Sequence, residues 1–376
     1  MMKVIAAPDS FKGSISAPDL CTSIRSGILA VDPSIEVVEL PMADGGEGTL
    51  DTLRYATGGK AYACRVTDPL GRPVTASYGV LGDGQTVMIE MAQASGLPLL
   101  QDDERNPLIT TSYGTGEMIR HALDAGYRKF IIGLGGSATN DGGAGMLKAL
   151  GVQFTDRERN PVKEGGAGLE RLASIDLSLL DPRVNESEFI IACDVTNPLI
   201  GSSGASAVFG PQKGATDQMV LQLDRALDRY GKVLLQATGT DVRQLPGSGA
   251  AGGMGAAFMS VIRAVNKSGI DMVMEAVHFE AHLQHADLII TGEGRLDSQT
   301  LSGKVIAGIC RKADGVPVIA LCGSMELSAA HMDEIGLTAA FSIVRGPCSL
   351  ETAIANVSLW ASRQAEQIVR LYAAKG

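Results

Sequence analysis

Aromatic side chains are scarce: they make up 4% of the 376 residues, and Trp360 is the one tryptophan. So thin a set argues against a stacking surface for single-stranded nucleic acid. No basic run exceeds two residues, and 42 acids against 32 lysines and arginines leave a formal charge of -10. Nucleic acid and anionic membranes both need a positive footprint, so neither is an expected partner. No apolar stretch approaches the ~20 residues that span a bilayer, and the opening MMKVIAAPDSFK loses its apolar character at Asp9, unlike a signal peptide. The cysteines Cys21, Cys64, Cys193, Cys310, Cys322 and Cys348 never stand at C-x-x-C spacing. In a chain this long they read as free thiols in a reducing compartment, which makes the cytoplasm the expected location. A Walker loop and a G-x-S-x-G elbow are also missing, and five histidines suggest no triad. His278, His282 and His285 share one face of an expected helix, but not in the H-E-x-x-H order of a metal site, and read as a wet surface.

Glycine is abundant. Its 46 positions are about 12% of the chain against an average near 7%, which signals tight turns and close backbone approaches. Short apolar runs alternate with helical stripes. Val4–Ala7 reads as a strand, and Ser16 with Asp19 caps a helix striped by Leu20, Ile24 and Ile28. Residues 35–40 read as a strand again. Residues 73–81 and 86–91 read as a β-hairpin, Phe130–Ile132 and Phe189–Ala192 as buried strands, and from residue 286 three further strands alternate with helices. The fold class expected is α/β. A parallel-sheet domain is formed by both termini, residues 1–62 and 286–376, with a second mixed α/β domain inserted over 63–285.

Several of these strands end in loops dense in Gly, Asp, Asn, Ser and Lys: 8–13, 43–49, 133–145, 193–198 and 291–304. In parallel sheets ligands bind outside the carboxyl ends of the strands, so five such loops point to one charged cleft. The glycines of 133–145 suit an anion cradle at a helix N-terminus, with Ser137, Thr139 and Asn140 as neutral donors. Lys12, Lys213, Arg295 and Lys304 sit in glycine-containing loops and are candidate anion partners. Asp9, Asp44, Glu47, Asp141, Asp194, Glu293 and Asp297 are too many acids for one cleft without a cation, and an oxygen-ligated Mg²⁺ would account for them. Asp194 follows an apolar strand, so it is either a desolvated base or a cap on the turn at Pro198. A G-x-G-x-x-G at Gly247–Gly252 follows no clean strand and reads as a tight helix entry.

Taken together, Ala7-Pro-Asp-Ser-Phe-Lys-Gly-Ser, Pro41-Met-Ala-Asp-Gly-Gly-Glu-Gly-Thr, the 133–145 run, Ala192-Cys-Asp-Val-Thr-Asn-Pro, Phe209-Gly-Pro-Gln-Lys-Gly-Ala and Thr291-Gly-Glu-Gly-Arg-Leu-Asp resemble the bacterial type-1 glycerate kinases nearly end to end. The resemblance implies a Rossmann-like domain and an inserted α/β domain with the active site in the cleft between them. It also implies ATP and D-glycerate as substrates, Mg²⁺ as the metal, 2-phosphoglycerate as the usual product, and service in glyoxylate or sugar-diacid catabolism; a homodimer is compatible with it. From loop position and residue chemistry, Asp194 is expected to be the hydroxyl base, with Asp9 and Lys12 also catalytic, and Asp44 and Glu293 near the metal. Lys213, Arg295, Lys304, Ser10, Gly45, Gly46, Asn197 and the segment Gly135, Gly136, Ser137, Asn140, Asp141 and Gly142 bind substrate or nucleotide. Three alternatives stay open: phosphorylation of the 3-hydroxyl or of another small hydroxy acid, a non-catalytic anion sensor, and, more remotely, a nicotinamide dehydrogenase.

Overall fold

A computed structural model describes residues 2–46, 48–297, 300 and 305–374. In chain order the strands are β1 (Lys3–Ala6), β2 (Glu36–Glu39), β3 (Lys60–Thr67), β4 (Pro73–Val80), β5 (Thr86–Glu90), β6 (Lys129–Gly133) and β7 (Gln153–Thr155), then β8 (Ser174–Asp176), β9 (Glu188–Ala192), β10 (Val265–Lys267), β11 (Leu288–Leu296), β12 (Val318–Met325) and β13 (Ala339–Ser342). The chain divides into two compact units. One holds Met1–Asp44, Asp51–Thr57 and Gly269–Gly376; the other holds Gly45–Leu50 and Gly58–Ser268.

The first unit is built on a parallel sheet in the order β13-β12-β11-β1-β2. Its central strands read as continuous apolar runs because both faces are covered: Val4, Ile5, Leu288, Ile289 and Ile290 are fully buried. The helix Ala17–Val31 forms as its sequence dictates, since the Ser16 side chain accepts the Asp19 N–H and Pro18 sits in the first turn. It packs on the last helix, Leu350–Ala373, at very close range. A Cβ added to Gly27 would lie 1.9 Å from the Ser362 carbonyl oxygen, and Ser23 and Ser358 hydroxyls bond at 2.7 Å. Since backbone cannot yield as a side chain can, Gly27→Ala should lower unfolding free energy by about 1–3 kcal/mol. Urea titration measures this, and a loss below about 0.5 kcal/mol contradicts the contact. The border with the second unit lies at Ser268, earlier than the sequence rhythm suggests, because the helix Gly269–Ala276 packs Ile270 onto Gly308. That helix also ends before the histidines do. His278 and His285 take left-handed φ of 53° and 60° on either side of one turn, Phe279–His282, so the three imidazoles do not share a helical face.

The second unit carries the mixed sheet β10-β9-β6-β5-β4-β3. The expected hairpin is present as antiparallel β4 and β5, extended by antiparallel β3, while β5, β6, β9 and β10 run parallel. A separate β7–β8 ribbon stands beside them. The 22-residue helix Asp217–Thr238 starts at the Thr216 cap and stops at Gly239 in the left-handed conformation. Among the described residues no helix is long and apolar enough to cross a membrane.

Candidate active site

In the first unit, β11 lies between β1 and β12, so the chain leaves β1 toward β2 on one side and returns at β11 on the other. Such a reversal of strand order opens a crevice at the carboxyl ends, which is where ligands bind in these sheets. The backbone prolongs the pairing beyond the strands: Ala7 donates to Ile290 and Asp9 to Gly292, both at 2.8 Å, while Met42 donates to the Pro8 carbonyl at 2.9 Å. These bonds bring residues 7–9 alongside β11 and Met42 alongside Pro8, on the side away from β11. A tight turn closed by reciprocal Phe11 and Ile15 backbone bonds then presents Lys12.

Asp9, Ser10, Lys12, Asp44, Glu293, Gly294, Arg295, Asp297 and Thr300 line the resulting cleft of about 480 Å³. Glu293 and Arg295 are not in a loop, as the sequence suggests, but on β11, which continues past its apolar run because it stays paired with β12 through Leu296. Residues two apart on a strand share a face, which is why both line the same wall. Four acids against two cations line this cleft, and Asp9, 8% exposed, bears the strain. Burial first, then the nearby Asp44, push its carboxyl up to about 7; Glu293 adds to the rise, while the Ser10 N–H and Lys12 oppose it. The Ser10 N–H donates to Asp9 Oδ1 at 2.6 Å and fixes the rotamer. Lys12 Nζ lies 3.5 Å from Asp44 Oδ2 with its side chain 63% exposed, a pair worth well under ~1 kcal/mol and therefore open to an incoming anion. Arg295 reaches Asp297 through Nε at 3.2 Å and Glu326 through Nη2 at 2.8 Å, which raises its own pKa.

Other expected site residues gather in the second unit. Asp141 is buried, and its carboxylate accepts from Ser112 N and Oγ at 2.8 Å each, from Gly143 N at 3.0 Å and from Gly145 N at 3.2 Å. Burial raises its pKa, and the Ser112 and Gly143 donors pull the other way. The amide nest that the glycines were expected to offer an external anion is thus partly filled by the chain's own carboxylate. Gly142 donates its N–H to Gly252 at 3.0 Å, and a Cβ on Gly252 would sit 2.0 Å from the Thr139 oxygen, so the G-x-G-x-x-G segment serves close packing here. Lys213 is not a surface cation. It is 1% exposed, and its Nζ donates to Ser137 Oγ at 2.8 Å and the Thr139 carbonyl at 2.7 Å. Asn140 is buried too, with Nδ2 on Ser206 Oγ at 2.9 Å.

Gly135 and Gly136 are exposed just past β6, and Asp194 is exposed just past the adjacent β9, not desolvated as its apolar strand suggests. Asn197 spends Nδ2 on the Ser203 carbonyl at 2.8 Å. Gly45 and Gly46 belong to the second unit, where Gly46 accepts the Thr49 hydroxyl at 2.8 Å. Lys304 and Glu47 lie outside the described residues. The sequence reading missed Thr300, Glu326 and Ser112. The first two carry no motif signal, and Ser112 becomes meaningful only once its bond to Asp141 is seen.

Comparison with known proteins accords with this architecture. The Glycerate kinase family profile matches residues 4–373. A glycerate kinase of Bacillus subtilis (strain 168) is 49% identical over 369 residues, covering 98% of this chain and 97% of the relative. A glycerate 2-kinase of Escherichia coli (strain K12) is 47% identical, covering 94% of this chain and 93% of its own. A crystal structure assigned to a glycerate kinase 2 from Salmonella typhimurium LT2 superposes with a TM-score of 0.91 at 49% identity, covering 100% of this chain and 99% of that one. This chain belongs to the glycerate kinase family.

Proposed function

We propose that the protein transfers the γ-phosphoryl group of ATP to the 2-hydroxyl of D-glycerate, giving 2-phosphoglycerate and ADP. The carrying observation is the cleft in which a buried, high-pKa carboxylate, Asp9, faces Lys12, Asp44 and Glu293. Phosphoryl transfer needs positioning and charge neutralisation more than covalent chemistry, and this lining supplies both. Asp9 takes the proton of the attacking hydroxyl, the new bond forms from that oxygen to the γ-phosphorus, and the bond to the β-phosphate oxygen breaks to release ADP. Lys12 meets substrate phosphate or carboxylate as a point charge, leaving its weak pairing with Asp44. Arg295 supplies a planar fork suited to a carboxylate. Work in the cytoplasm, where ATP is abundant, completes the proposal and suits a chain whose six cysteines are free thiols.

The donor set also fits Mg²⁺. Among the described residues no group of three His, Cys, Asp or Glu could hold a metal alone, but Mg²⁺ binds through one or two carboxylates with phosphate oxygens and water as its other ligands. Asp44 and Glu293, whose charges raise Asp9, are the two we assign to it. When bound, the ion neutralises charge developing on the β- and γ-phosphate oxygens.

The test is phosphorus NMR of the product with a coupled ADP assay. A phosphoryl group at C2 couples to one proton and gives a doublet; at C3 it couples to two and gives a triplet. A doublet that grows with glycerate-dependent ADP release is expected. A triplet overturns the regiochemistry, and glycerate binding without ADP release replaces the kinase by the anion sensor.

A further inference from the structure

We propose that Thr300 is a positioning residue for this reaction, acting through its hydroxyl on the Glu293 carboxylate. The inference rests on the kinase reading and deepens it. Thr300 lines the cleft yet is only 1% exposed, so its side chain serves the protein rather than the solvent. Its Oγ1 donates to Glu293 Oε1 and accepts the Asp297 N–H at 3.2 Å, while its own N–H donates to the Asp297 carbonyl at 3.0 Å. The two backbone-linked bonds tie Thr300 to Asp297, just past β11. The bond to Glu293 is separate from these and reaches back to the wall of the cleft.

What that bond does follows from the surroundings. Glu293 stands on the strand with three rotatable side-chain bonds and with Asp9 close enough for the two charges to repel. Holding such a side chain in one rotamer beside a like charge takes fixed partners, and the Thr300 hydroxyl is one of them. A hydroxyl donor on a β-branched residue, itself stiff about χ1, holds one carboxylate oxygen in place. Asp297 in turn holds Arg295 by Nε, and Glu326 holds Nη2. Thr300 therefore links the acid to Asp297, the residue that holds the cleft's arginine.

The test is a double-mutant cycle on the full chain. Thr300→Val keeps shape and removes the hydroxyl; kcat/KM for ATP should fall 10- to 100-fold, as is usual when the group orienting a ligating side chain is lost. Affinity for a non-hydrolysable ATP analogue with Mg²⁺, read by calorimetry, should weaken in the same direction. Thr300→Ser, which keeps the donor, should stay within about threefold of wild type in both. In a Glu293→Ala background, adding Thr300→Val should cost less than about threefold, because the residue it positions is gone. A Thr300→Val enzyme within threefold of wild type, or one whose full loss persists without Glu293, overturns the proposal. Should the valine variant not fold, Thr300→Ala against Thr300→Ser runs the same cycle. If the wild type itself shows no glycerate-dependent turnover, the kinase reading fails separately and the calorimetric cycle still decides Thr300.

Discussion

Asp9→Asn should lower kcat by 10²- to 10⁴-fold while leaving KM for ATP within a few-fold, because a general base contributes in the transition state and little to ground-state binding. Asparagine keeps the acceptor for the Ser10 N–H, so the loop need not move. The pH profile gives a second readout. A base works ionised, and burial with Asp44 and Glu293 nearby lifts Asp9 up to about 7. Activity at limiting glycerate should therefore rise with pH along an acid limb whose midpoint is about 7 or lower. A cation held by Asp44 and Glu293 would lower it by offsetting their charge. The Asp9→Asn variant should lack that limb. A variant retaining a tenth of wild-type kcat, or an unchanged limb, removes Asp9 from the role and returns attention to Asp194.

How much of this was legible in the sequence depends on the kind of signal. Periodicity and caps located most of the sheet strands, though neither β3 nor β10, and the helix after Ser16, because there these local rules agree with the tertiary packing. The strand-end loops did mark the cleft acids, but their chemistry was set by neighbours that sequence does not show. Glu293 and Arg295 read as loop residues because glycines interrupt them, yet pairing with β12 keeps them in a strand and on one face. Asp141 read as a ligand-facing acid in a glycine run, while in the fold its carboxylate is consumed by four donors of its own unit. The long helix Asp217–Thr238 had both a threonine cap and a terminal glycine to announce it, and its buried stripe of Leu223, Leu227, Tyr230 and Leu234 is regular.

The same limit explains Lys213, and the second large effect is expected there. In sequence it is a lysine in a glycine loop; in the fold burial pulls its pKa down to about 7, with Asp141 resisting. Two N–H bonds, to Ser137 Oγ and the Thr139 carbonyl, are all it makes among the described residues, and a neutral amine has two hydrogens to give. An unfolded lysine titrates near 10.4. Between about 7 and that value the unfolded chain binds the extra proton, so this group stabilises the fold progressively as pH rises, by up to ~1.4 kcal/mol per unit. Below about 7 both states are protonated, and the cost of burying the charge is present in full. Lys213→Met removes the titration and leaves two acceptors without their donor, which costs about 1–3 kcal/mol each at every pH. Urea unfolding of both proteins from pH 6.5 to 8.5, where thiol titration is common to both and cancels in the difference, should show the wild type gaining on the variant by roughly 1 kcal/mol per unit above pH 7. Parallel curves would mean that the lysine stays charged at these pH values, and the pinning of Ser137 and Thr139 would then be the work of an ammonium group held by Asp141.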